Sequence, residues 1–132
     1  MIGIKQKEWA IIKYLILSKS QNDYRQIRKL FQDHVWNSEK EAAFQALIQH
    51  ALAEPPKKGN LINAYQHIWG YFKTIATVEE KKQYEQLLTY YSIETDELKP
   101  FLKELTLKYH EPYLLQSAFL FEEKGKNLLK NC

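Results

Sequence analysis

The stretch "EWAIIKYLILS", residues 8–18, constrains the fold more than any other part of the chain. At about 100° per residue, Trp9, Ile11, Ile12, Tyr14, Leu15, Ile16 and Leu17 cover almost the whole circumference of a helix, so a helix here needs neighbours on several sides. Its β-branched content makes a buried strand the competing reading, but the length favours a helix. We predict a central helix from Lys5 to about Ser18. Four glycines and four prolines among 132 residues are too few for a turn-rich β fold, and 45% hydrophobic against 27% charged residues is an ordinary globular balance. The length is that of one domain with a real core, so residues 1–132 are read as a single all-α domain.

The remaining helices follow from periodicity and punctuation. Tyr24, Ile27, Leu30 and Phe31 recur at helical spacing and define a second helix that runs to about Asp33. Ser38 and Glu41 form a capping-box pattern that opens a third helix over Glu39–Ala53, which ends at "EPPKKGN". A fourth helix begins near Asn60 and continues through "NLINAYQHIWGYFK", and Thr77 with Glu80 repeats the capping pattern before a fifth over Val78–Tyr91. The sixth starts close to Pro100. The seventh follows Pro112, carries Leu114, Leu115, Phe119 and Phe121, and stops before Gly125. Seven short helices with brief connections describe an orthogonal or bundle-like domain.

The net charge of +3 comes from 19 basic and 16 acidic residues spread along the chain, with no clustered nucleic-acid signature. No apolar run approaches the roughly 20 residues of a membrane span, and no signal-peptide pattern opens the chain. The only cysteine, Cys132, rules out an internal disulfide framework and a Cys-rich metal site, so a cytoplasmic location is expected. As a terminal residue it is not expected to be held against a base as a nucleophile. Phosphate-loop, dinucleotide-binding, H-E-x-x-H and C-x-x-C patterns are absent from the chain. No two of His34, His50, His67 and His110 share helical i, i+3 or i+4 spacing, so neither a metal nor a cofactor is expected. His34 and His50 fall near helix C-termini, where an imidazolium complements the dipole.

One segment breaks this pattern. On the fourth helix Asn60, Asn63, His67, Gly70 and Thr74 fall within about 80° of arc, opposite the apolar stripe Leu61, Tyr65, Ile68 and Phe72. Gly70 costs about 1 kcal/mol against alanine inside a helix, so something should offset it. Two accounts compete. Either a second helix crosses closely at Gly70, in which case Gly70→Ala destabilises, or a ligand approaches the backbone there with Asn63 and His67 as hydrogen-bonding groups. A second patch, "NDYRQIRKLF", mixes Tyr24 with Arg25, Arg28 and Lys29 in the manner of a stacking nucleic-acid surface. Helix geometry, however, sets the Tyr24 ring at the core edge beside Ile27 and Arg28 and leaves the cations solvated.

Taken in order, "SQNDYRQI", "NAYQHIWGYFK", "TVEEKKQYEQLL", "LKPFL" and "YLLQSAF" resemble the YbgA-like domains, the domain of unknown function 1722, over about residues 8–121. The most specific piece is His67, Gly70, Tyr71 and Phe72, with Asn63 four residues earlier. The resemblance implies an all-α unit that occurs alone or behind a cysteine-rich desulfurase-like domain, which carries the iron–sulfur chemistry as a partner. It also implies a role beside modified-base or nucleotide metabolism. Relatives carry further histidines where this chain has Trp9, Ile11, Ile12 and Leu61, and a glutamine of the last helix is displaced, Gln116 lying beside the matching Ser117. What is retained of such a polar site is Lys13, Tyr24, Arg25, Asn63 and His67, around Gly70.

Three functional expectations result. The first is a non-enzymatic accessory or binding module centred on Asn63, His67 and Gly70. The second is a small enzyme acting on a nucleotide or base, with His67 as general acid or base and Lys13 or Arg25 holding an anion. The third is a nucleic-acid binder that uses the patch from Tyr24 to Lys29.

Overall fold

The computed structural model describes residues 1–129, with the side chain of Asn127 excepted, so Cys132 and the end of the "KGKNLLKNC" tail lie outside the described residues. In chain order the elements are α1 (Ile2–Lys19), α2 (Gln21–Leu30), α3 (Ser38–Leu52), α4 (Lys58–Trp69), α5 (Val78–Thr89), α6 (Leu98–Lys108) and α7 (Pro112–Leu115). A 3-10 turn (Glu122–Gly125) and the short α8 (Lys126–Leu129) follow. Among the described residues there is no strand, and no helix is long and apolar enough to cross a membrane. The fold is all-α.

α1 is central because it is apolar nearly all round. Tyr14 and Leu17 join one core with Tyr65, Ile68 and Phe72 from the α4 segment and Leu98, Leu102 and Leu105 from α6. Trp9, Ile12 and Ile16 join a second core with Ile27 of α2 and Phe44, Ile48 and Ala51 of α3. α1 thus separates two apolar clusters, and each supplies about 1.5–3 kcal/mol per fully buried large side chain. The segment after α7 crosses α1 midway, where the Ala118 amide donates to the Ile11 carbonyl at 2.7 Å.

Several boundaries differ from the sequence reading, each for a local reason. The cap of α3 is Asn37, whose side chain accepts from the Lys40 amide at 2.9 Å, and Ser38 is the first helical residue. The capping box expected at Ser38 therefore does not form. Its glutamate is engaged elsewhere: Glu41 accepts from Trp36 Nε1 at 3.1 Å and pairs with Lys5 at 2.7 Å. The box at Thr77 and Glu80 does form, with both reciprocal hydrogen bonds present. α7 is only one turn long, and Phe119 and Phe121 lie beyond it, because the Ala118 amide is directed to α1 rather than back along a helix.

The fourth helix ends at Trp69, with Gly70 as its cap in right-handed helical conformation (φ −53°, ψ −26°). Beyond it the chain tightens into i→i−3 bonds, Tyr71 to Ile68 at 3.0 Å and Phe72 to Trp69 at 2.8 Å. A Cβ added at Gly70 would meet only its own preceding turn, the His67 carbonyl oxygen at 3.1 Å and Gln66 beyond it. No second helix crosses there, which overturns the close-packing account. Gly70 caps α4 in a conformation open to any residue, just before the turn that carries Phe72 into the core. Gly70→Ala is accordingly expected to change stability by no more than about 1 kcal/mol, since improved propensity opposes a few tenths of an ångström of carbonyl movement. Urea denaturation checks this, and a loss beyond about 2 kcal/mol would restore the crossing account. Close approach belongs to Gly125, buried in the 3-10 turn, where a Cβ would lie 2.8 Å from Ala118 Cβ.

Candidate functional site

The retained polar residues lie on three elements that α1 brings together. Lys13 leaves the middle of α1, and its ammonium stands 5.3 Å from the centre of the Tyr113 ring. Tyr113 is held at the start of α7 by Pro112 at the first helical position and by Glu111, whose carboxylate caps the Leu114 amide at 2.7 Å. Tyr71 stacks on Tyr113 with centroids 6.1 Å apart and planes 14° from parallel. Its hydroxyl shares a 2.8 Å hydrogen bond with that of Tyr14. Lys13 and three tyrosines from distant parts of the chain therefore form one half-buried aromatic patch.

Burial pushes the Tyr14 phenol far up, and the hydrogen bond with Tyr71 adds to the shift. Burial likewise raises Tyr71, against the opposing effects of its bond to Tyr14 and the charge of Lys13. Both phenols stay protonated at neutral pH, available as donors and as stacking faces rather than as bases.

The strip on α4 adjoins this patch, since Tyr71 lies one turn beyond His67. His67 and Gly70 are exposed and Asn63 is half-buried. Among the described residues neither the His67 nor the Asn63 side chain is hydrogen-bonded to another protein group. Asn60, by contrast, is a structural member of the strip: its amide donates to the Lys19 carbonyl at 3.2 Å and ties the start of α4 to the end of α1. Tyr24 lies at the core edge, 5.6 Å from the Trp9 ring and with the Arg28 guanidinium 5.8 Å over its own. Arg25 is exposed on α2, so Lys13 joins the patch while Arg25 stays in solvent.

Tyr14 and Tyr113 escaped the sequence reading, because nothing in their spacing connects residues 14, 71 and 113. A pair on the far side of α1 escaped it too. Asp23, buried in the first turn of α2, meets His50 Nδ1 at 2.6 Å, and that hydrogen bond followed by the carboxylate's charge raises the His50 pKa. A carboxylate thus joins the helix end in favouring the charged imidazole of His50. Among the described residues no three His, Cys, Asp or Glu side chains lie close enough to hold a metal ion.

A compact set of helices around one central helix, with a polar strip on α4 and a half-buried aromatic and cationic patch, defines an all-α domain. Residues 13–122 of the 132 match the family model described as "Protein of unknown function (DUF1722)", and the chain belongs to that family, the YbgA-like domains. No curated protein and no solved structure matches the chain.

Proposed function

We propose that this domain is a non-enzymatic binding module serving modified-base or nucleotide metabolism, and that it grips its ligand through Asn63, His67 and Gly70 together with Lys13, Tyr71 and Tyr113. The supporting observation is the assembly of Lys13 on the stacked pair Tyr71 and Tyr113 at the edge of the α4 strip. A cation beside π faces suits a phosphate joined to a planar base, and base–aromatic stacking contributes about 1–3 kcal/mol per base. Asn63 and His67 have hydrogen-bonding capacity left over for base edges. The open surroundings of His67 favour binding over catalysis, since a general acid or base works best when a neighbour fixes its tautomer and orientation. In this reading the chemistry belongs to a cysteine-rich desulfurase-like partner, and this domain supplies the grip.

The same face suits a single nucleic-acid strand, which is the second reading. Amide-resolved NMR titration with uridine 5′-monophosphate and, separately, with a short oligouridylate tests both. Saturable shifts at Asn63, His67 and Tyr71 are expected, weakened about tenfold or more by Lys13→Gln. Binding confined to the oligonucleotide, falling steeply with salt, would favour the nucleic-acid reading. No response at those three residues to either probe would overturn both.

A further inference from the structure

The opposite side of α4 carries a second feature, independent of the recognition face and sharing no residue with it. A cavity of about 260 Å³ opens where the end of α1, the start of α4 and the start of α6 meet. Leu15, Leu61, Tyr65 and Phe119 make its apolar walls, and Lys19 and Lys99 bring the positive charge. The volume lies just below the range of drug-sized ligand sites.

The charges in this cavity are unbalanced. Asp96 also lines it, but every direction of that carboxylate is in use. Oδ1 accepts from the Leu98 and Lys99 amides at 3.0 and 3.1 Å, and Oδ2 accepts from the Tyr65 and Tyr91 hydroxyls. The ammonium of Lys99 lies instead over the Phe119 ring, 4.5 Å from its centre. Among the described residues no carboxylate comes within 4.0 Å of Lys99 or Lys19, whereas Lys5 has two and Lys40 and Lys108 have one each. Burial pushes the Lys99 pKa down; Glu122 and Asp96 counter this from a distance, and Lys103 and Lys19 add to it. A half-buried ammonium with no carboxylate within 4.0 Å carries a desolvation cost, and an anion entering the cavity would relieve it. Ser18, at the edge, is already engaged, its hydroxyl donating to the Leu15 carbonyl at 2.6 Å.

We propose that this cavity is a binding site for a small organic carboxylate, its anionic group on Lys99 with Lys19 alongside and its apolar body against Tyr65 and Phe119. An anion alone would leave the walls unused, and a neutral apolar molecule would leave the lysines unpaired.

Benzoate and inorganic phosphate, titrated separately into the full chain and followed by amide NMR, test the assignment. Benzoate is expected to shift Ser18, Lys99 and Phe119 saturably. Lys99→Gln is expected to weaken that binding about tenfold, while Lys99→Arg keeps it within about threefold. If Lys99→Gln does not fold, Lys19→Gln serves in its place, with a loss of about threefold expected. No saturable shift at these residues, or binding unchanged in the glutamine variant, overturns the site. An equal response to phosphate and benzoate overturns the carboxylate assignment in favour of a bare anion.

Discussion

Asp96→Ala is expected to cost about 3–4 kcal/mol of stability, because four donors converge on its carboxylate and lose their acceptor together. Two are the Leu98 and Lys99 amides at the start of α6, at 3.0 and 3.1 Å, which the side chain caps. The other two are the hydroxyls of Tyr65 and Tyr91, the latter at 3.0 Å. Tyr65 is fully buried, so its hydroxyl would lose that bond inside the core. Burial first, and Asp96 after it, raise both phenols, Tyr91 to about 12, so both act as donors at neutral pH. The residue therefore joins α4, the end of α5 and α6 at one point. Asp96→Asn should recover part of the loss, since its remaining oxygen can still cap α6. Urea denaturation of both variants and of Tyr65→Phe with Asp96→Ala gives the coupling directly. A loss under about 1 kcal/mol for Asp96→Ala would show that this hub does not hold the helices.

Glu80→Ala is expected to destabilise by about 2 kcal/mol near neutral pH, a cap contributing about 1 and the inter-helix bonds the rest. The Glu80 carboxylate accepts from the Thr77 amide at 2.9 Å, completing the capping box of α5. It also accepts from Lys108 Nζ and Tyr109 Oη, both at 2.6 Å, and so fastens α5 to the end of α6. Burial alone would raise its pKa, but the bonds from Lys108, Tyr109 and Thr77 outweigh it and hold the group at about 2 against an ordinary 4.5. The folded state thus binds this proton less tightly than the unfolded chain does. The stabilisation is fully present above about pH 4.5 and drains away as pH falls through about 2. Thermal unfolding at pH 7, 4 and 2.5 should show the gap between wild type and Glu80→Ala narrowing as the solution is acidified. A gap that stays constant would mean that the carboxylate's charge contributes nothing.

The two substitutions sample different kinds of legibility. Thr77 and Glu80 could be read directly, because a capping box joins residues three apart and any helix that starts there brings them together. The same pattern at Ser38 misled, since Asn37 caps one residue earlier and Lys5 and Trp36, distant or outside the pattern, draw Glu41 away. The inter-helix role of Asp96 could not be read: its capping of α6 is local, but it looks like an ordinary loop aspartate until Tyr65, 31 residues upstream, is brought against it. The α4 strip was legible as an arc of polar residues. Its aromatic neighbours Tyr14 and Tyr113 were not, for the same reason.

By itself the sequence determined that the chain is helical and that α1 lies at its centre, because an apolar run covering a full helical circumference can be satisfied only by neighbours on several sides. It also determined which face of α4 is polar, since periodicity is a property of consecutive residues. Only the tertiary structure decided that no helix crosses at Gly70, where Lys13 rests, and which carboxylate ties the helices together. Those outcomes depend on contacts between residues tens of positions apart, and the distances that create them come from the packing of whole helices, which no local spacing records.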